Sequence, residues 1–195
     1  MAVAQPQKQT KAPRGKKSMA QRLWFLHWLM AAVYLMLFIG GIYMADLPRE
    51  VTYRGSLYTI HKTLGVLVMS LLLARISVLL VVVLHKYRRR LPKTTPHWWR
   101  MTALHAALYT FMLLVPLSGY LFSNANAKDI VIFGTNLVMP PLIGADKALA
   151  ELGRSAHFWL SYTFLAFILL HGLDQRKYLR AFLRRSYKTI AKTVS

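Results

Sequence analysis

The chain has 195 residues, 55% of them hydrophobic, with 26 Lys and Arg against 6 Asp and Glu and no cysteine. This length fits one domain, and the lack of cysteine excludes disulfides, thiolate metal sites and a cysteine nucleophile. A formal net charge of +20 on a soluble domain would point to nucleic acid, but here the basic residues flank long apolar runs, which marks a membrane protein with lipid and no nucleic acid as its surroundings.

Residues 1–22 are polar and basic and are expected to form a disordered cytoplasmic tail. Four apolar runs follow, at Leu23 to Met44, Leu57 to Leu84, Met101 to Phe122 and Ser155 to Leu173. Each is near or above the roughly 20 residues that cross a hydrocarbon core. The first is too long for the apolar core of a cleaved signal peptide and is read as retained. Backbone facing lipid must satisfy its own hydrogen bonds, so all four are predicted helices. The expected fold is all-α: a transmembrane four-helix bundle over 23–173, followed by a second basic cytoplasmic tail over 174–195.

Charge sets the expected orientation. The first tail carries Lys8, Lys11, Arg14, Lys16, Lys17 and Arg22. The second connection carries Lys86, Arg88, Arg89, Arg90, Lys93 and Arg100. The last tail carries Arg176, Lys177, Arg180, Arg184, Arg185, Lys188 and Lys192. The other two connections are balanced: Arg49 and Arg54 against Asp46 and Glu50, then Lys128, Lys147 and Arg154 against Asp129, Asp146 and Glu151. The basic segments all fall on one side of a four-span chain, and the positive-inside rule puts both termini in the cytoplasm. The long outer connection, Asn124 to Arg154, contains the apolar, Pro-broken FGTNLVMPPLIG and is expected to lie on the membrane surface or cap the bundle.

Four histidines sit near the ends of the runs: His27, His61, His157 and His171. Ionisable groups inside a membrane are rare and usually functional, and neutral imidazole is among the commonest metal ligands. His157 and His171 are fourteen residues apart, roughly 21 Å along a helix and on nearly one face. Topology places His61 with His157 at the outer level and His27 with His171 at the inner level. Two stacked haems, each with two axial imidazoles and no open position, suit electron transfer across a bilayer.

Arg75 lies inside the second run with no acidic residue near it in sequence. It either pairs with a haem propionate at the inner level or snorkels to the surface. His105, near the start of the third run, is open to three roles: ligand in place of His27, propionate partner or quinone contact, with an interfacial histidine as the plain alternative. His85 and His97 fit the basic interface. Pro116 is expected to kink the third helix. Gly65 and Gly119 let flat groups or helices approach, and Trp24, Trp28, Trp98, Trp99 and Trp159 read as an aromatic belt.

Taken together, LHW at Leu26 to Trp28, IHK at Ile60 to Lys62 with Arg75 downstream, HAALY and LVPLSGYL in the third run, FG and P in the outer connection, and the paired His157 and His171 resemble the bacterial cytochrome b561 family of four-helix di-haem membrane cytochromes. The resemblance covers Arg22 to the end of the fourth run. It implies two b-type haems held by His27, His61, His157 and His171, a bacterial inner-membrane location, and electron exchange with a quinone pool. Phe158 stands where related chains often carry an acidic residue. Some relatives are similar to superoxide oxidases, passing electrons from superoxide at the outer face, where Lys62, Lys128 and Arg154 would draw it, to quinone. Others are haem-bearing anchor subunits that relay electrons for a hydrogenase- or dehydrogenase-type redox partner. A four-span scaffold or transporter would explain the hydropathy but leave the four matched histidines without a purpose.

The orientation is directly testable because the chain has no cysteine of its own. Single cysteines placed at Ser18 and Ser195 are expected to resist an impermeant thiol reagent in intact cells, whereas one at Ala145 reacts. Labelling of the termini would reverse the assignment.

Overall fold

A computed structural model describes residues 19–88, 94–178, 180–181 and 184. Most of the two basic tails, and Arg89, Arg90 and Lys93, lie outside the described residues. The chain forms four long helices: α1 (Met19–Ala45), α2 (Arg54–Tyr87), α3 (Pro96–Ala125) and α4 (Lys147–Asp174), with a two-stranded hairpin, β1 (Ile130–Val131) and β2 (Val138–Met139), between α3 and α4. All four helices are long and apolar enough to cross a membrane.

The helices are longer than the apolar runs that announce them. α1 starts at Met19, so the last part of the expected tail is already helical. α4 starts at Lys147, eight residues before the apolar run begins, because Asp146 caps it: its Oδ1 accepts from the Leu149 N–H at 2.8 Å. At α3, Thr95 Oγ1 accepts from the Trp98 N–H at 3.1 Å and Pro96 supplies a preset first turn. Capping chemistry, rather than hydropathy, sets these two starts.

The bundle has a tail side, where α1 and α3 begin and α2 and α4 end, and an opposite loop side. α3 packs against α4, α1 against α2, and α2 against α3. Gly153 lets α4 come close to the α3 backbone: a Cβ there would lie 3.1 Å from Phe122 Cα. α4 meets α1 mainly through large side chains, with Phe164 between Tyr34 and Phe38. The core runs through Met30, Val33, Tyr34, Val68, Leu72, Leu108, Val115 and Phe164. Outward-facing Leu35, Ile39, Leu73, Leu80, Leu84, Leu152 and Leu169 are exposed, as lipid-facing positions must be.

The loop-side connection between α3 and α4 is more ordered than its Pro-broken sequence suggests. Gly134, with φ of 78°, turns the chain so that Ile130 pairs with Met139 and Val131 with Val138. The hairpin is latched to α2 by the two residues after His61. Lys62 Nζ donates to the Asp129 carbonyl at 2.9 Å, and Thr63 Oγ1 accepts from the Phe133 N–H at 2.8 Å. Buried Asn124 accepts from the Leu142 N–H at 2.9 Å. The connection thus caps the bundle.

Pro116 creates a specific need in α3. Having no N–H, it leaves the Met112 carbonyl, four residues earlier, without its helical donor. In lipid such an acceptor is costly. Tyr34 of α1 answers it, donating from Oη at 3.0 Å. Tyr34→Phe is therefore expected to destabilise the bundle by about 1–3 kcal/mol. In a Pro116→Ala background the restored N–H takes over, and the same change costs less. A double-mutant cycle on unfolding in detergent measures this coupling; strictly additive effects would contradict it.

Candidate functional site

Two histidine pairs occupy the two ends of the bundle interior. On the loop side, His61 of α2 faces His157 of α4, with ring centroids 6.3 Å apart and planes crossed at 87°. On the tail side, His27 of α1 faces His171 of α4, at 6.2 Å and 75°. One helix, α4, thus supplies a histidine to both pairs, and α2 and α1 supply one each.

His157 is held by α3. Its Nδ1 lies 3.0 Å from the Val115 carbonyl and 3.1 Å from Ser118 Oγ, which itself donates to the same carbonyl at 2.8 Å. A carbonyl only accepts, so Nδ1 carries the proton and Nε2 keeps its lone pair. A backbone partner on one ring nitrogen is the usual way to fix a ligating imidazole. Gly119 completes the cradle: a Cβ there would lie 2.9 Å from His157 Cε1. On the other side, a Cβ on Gly41 of α1 would reach His61 Cε1 at 3.4 Å, an ordinary contact. A cavity opens beside this pair, lined by Tyr34, Phe38, His61, Gly65, Val68, Pro116, His157 and Ser161 among others. Gly65 faces open space, with no atom within 4 Å of a Cβ built on it.

The tail-side pair has more neighbours. His105 of α3 lies 5.1 Å from His171, at 83°, with its Nδ1 2.7 Å from the Met101 carbonyl of its own helix. Among the described residues, His171 Nδ1 is buried without a hydrogen-bonding partner. Arg75 joins three helices here. Its Nε donates to Tyr109 Oη of α3 at 2.8 Å, and its Nη1 to the Leu23 carbonyl of α1 at 3.2 Å. Leu23 is one turn before His27, so the guanidinium grips the turn that carries that histidine. Beyond the pair, Arg100 and Asp174 form an ion pair at 2.8 Å between the start of α3 and the end of α4. His85 and His97 are exposed near the helix ends.

The ring separations have a chemical meaning. Two metal–imidazole bonds of about 2.0–2.1 Å, plus about 1.1 Å from each ligating nitrogen to its ring centre, would span about 6.3 Å between the ring centres of two histidines sharing one metal ion. The His61–His157 and His27–His171 pairs match this span; the His105–His171 pair is too close for it. Sequence reasoning reached the histidines and Arg75 but not their supports. Ser118, the Val115 carbonyl and Tyr109 become visible only when α3 is packed against α4 and α2. The one available signal was the S-G pair just after Pro116.

Four apolar helices carrying interior histidines at two levels define a membrane-embedded cytochrome of the b type. The chain belongs to the prokaryotic cytochrome b561 family, whose model matches residues 19–173. It is 29% identical over 157 residues to cytochrome b561 homolog 2 of Escherichia coli (strain K12), an alignment covering 78% of this chain and 79% of that relative. The family makes it a multi-pass bacterial membrane protein that binds b-type haem and takes part in electron transfer.

Gly119 gives the sharpest test of the His157 cradle. Gly119→Ala is expected to push the ring out of line with His61 and lower the haem bound per chain, while the apoprotein still inserts. Haem-to-protein ratios on purified protein measure this. A full complement of haem in Gly119→Ala would show that the close approach is not needed.

Proposed function

We propose that this chain is a di-haem cytochrome b that carries single electrons between a donor on the loop side and the quinone pool of the bacterial inner membrane, with both termini in the cytoplasm. The observation that carries the reading is the pair of ring separations, 6.3 and 6.2 Å, each suited to one six-coordinate iron. When bound between His61 and His157, or between His27 and His171, a b-type haem would supply reversible one-electron chemistry.

The chain's own residues then have distinct tasks. His61 and His157 hold the loop-side haem, and His27 and His171 the tail-side one. The Val115 carbonyl and Ser118 keep His157 in the tautomer that ligates through Nε2. The buried, unpartnered nitrogen of His171 supports a polar ligand at the tail-side level. His105, with its ring centre 5.1 Å from that of His171, stands too close to share an iron with it and is assigned as a neighbour, not a ligand. Arg75 uses two of its five N–H donors on Tyr109 and Leu23, and the others take a propionate of the tail-side haem. Lys62 lies within electrostatic range of both Lys128 and Asp129, and with Lys128 and Arg154 it is the basic group that we assign to drawing a small anionic donor such as superoxide to the loop side.

A pyridine haemochrome titration is expected to give two haems per chain. His61→Ala and His157→Ala lose the loop-side haem, His27→Ala and His171→Ala the tail-side one, and His105→Ala keeps both. One haem per chain, or haem loss in His105→Ala with His27→Ala spared, would overturn the assignment. Gly65→Ala separates the cofactor from the protein around it. The added methyl meets no protein atom, so haem loss there reports a group filling the cavity.

Arg75 makes a second prediction. Its charge favours the reduced state of the haem beside it, because it offsets the added electron. One charge a few ångströms away is worth roughly 2–4 kcal/mol at an effective dielectric near 20, before solvent screening. Arg75→Gln is expected to keep both haems and lower the potential of the tail-side one alone, and Arg75→Lys to lower it less. A redox titration in which neither haem moves would remove Arg75 from the site.

A further inference from the structure

Phe164 lies seven residues after His157 and seven before His171. Seven residues are close to two helical turns, about 10.5 Å, so α4 presents Phe164 on the same face, midway between the two histidine levels. It is the most thoroughly buried large side chain of that helix, at 1% exposure. Rings from two other helices converge on it. Tyr34 meets it edge-on at 5.0 Å, Phe38 is tilted at 5.9 Å, and Phe111 stacks at 6.2 Å and 19°. Val68 and Leu72 of α2, both 0% exposed, belong to the same core cluster. The hydroxyl of Tyr34 is spent on the Met112 carbonyl, so no loose polar group opens into the layer.

The layer is also continuous with the loop-side cavity. Tyr34, Phe38 and Val68 line that cavity next to His61 and His157 and at the same time belong to the core around Phe164. The floor of the loop-side cavity is therefore part of the core layer that lies between the two histidine pairs.

We propose that Phe164 and the rings around it are the septum through which the two haems exchange electrons, and that Phe164 is its positioning residue. The proposal rests on the two-haem reading above. In the exchange, one electron leaves a ferrous iron at one level and reduces a ferric iron at the other. No bond is made or broken, no proton is needed, and Phe164 is neither oxidised nor reduced. Its task is to fill the gap with atoms. Interiors pack as densely as organic crystals, and electron tunnelling falls off faster through a void than through packed atoms. A large rigid ring at the midpoint, wedged by three others, keeps the gap solid and free of water.

The test uses the holoprotein in nanodiscs. A single cysteine at Ala145, exposed in the loop-side connection, carries a photoactive ruthenium complex that injects one electron at the loop-side haem. The rate of equilibration with the tail-side haem is followed by absorbance. Phe164→Ala is expected to slow it several-fold at an unchanged haem count, with Phe164→Leu in between. Ile130→Ala makes a comparable defect in the loop-side cap, where Ile130 is 2% exposed; it is expected to lower thermal stability without changing the rate. An unchanged rate in Phe164→Ala with both haems bound overturns the proposal, as does equal slowing in Ile130→Ala. If Phe164→Ala loads haem poorly, Phe164→Leu decides the matter in the same way. One haem in the unsubstituted chain sinks the two-haem reading together with the proposal, and the haem assay registers that outcome separately.

Discussion

A bilayer offers no water to satisfy a polar group, and that constraint shapes the interior of this bundle. Polar atoms placed among the helices need partners, and several find them on another helix. The Met112 carbonyl, stripped of its donor by Pro116, receives Tyr34. The Val115 carbonyl receives His157. Arg75 reaches α1 and α3 at once. These bonds cross between helices that otherwise meet through apolar side chains, so they fix the register of the bundle where packing alone would let helices slide. They also decide where the histidine rings stand.

Much of this was legible in the chain. Four apolar runs gave four helices, and the spacing of His157 and His171 marked one helix as serving two levels. The element ends were less legible, because hydropathy reports where lipid lies and not where a helix is capped. Asp146 and Thr95 set starts that the apolar runs do not show. The hairpin around Gly134 was hidden for a related reason: Ile130–Val131 and Val138–Met139 are too short for a strand signal and become strands only by pairing with each other beside α2. At the sites, residue type drew attention to histidine and arginine. It gave no notice of Ser118 or of a backbone carbonyl, whose roles depend on which helices touch. Phe164 could have been found, since it sits midway in the 157–171 interval, but one phenylalanine among many in an apolar run carries no mark of its own.

Placing two levels on one helix has a mechanical consequence. α4 fixes the distance between His157 and His171 by its own geometry, so the spacing of the two histidine levels does not depend on how the loops are arranged. α2 and α1 then need only bring one histidine each to a position set by α4. The supports differ in kind at the two levels. The loop side relies on a backbone carbonyl, a serine and a glycine gap. The tail side relies on a half-buried guanidinium and a cluster of three histidines. This asymmetry gives the two histidine levels different electrostatic surroundings.

The central claim is that each level holds one iron between two crossed imidazoles. Electron paramagnetic resonance of the fully oxidised protein reads that geometry directly. Crossed rings leave the two iron orbitals that bind them nearly equal in energy, and the low-spin ferric signal is then strongly anisotropic, dominated by one feature at low field. Parallel rings split those orbitals and give a rhombic three-line spectrum. With planes at 87° and 75°, two strongly anisotropic low-spin signals are expected, the loop-side one at lower field. A rhombic spectrum, or a high-spin signal from an iron lacking its second histidine, would contradict the account.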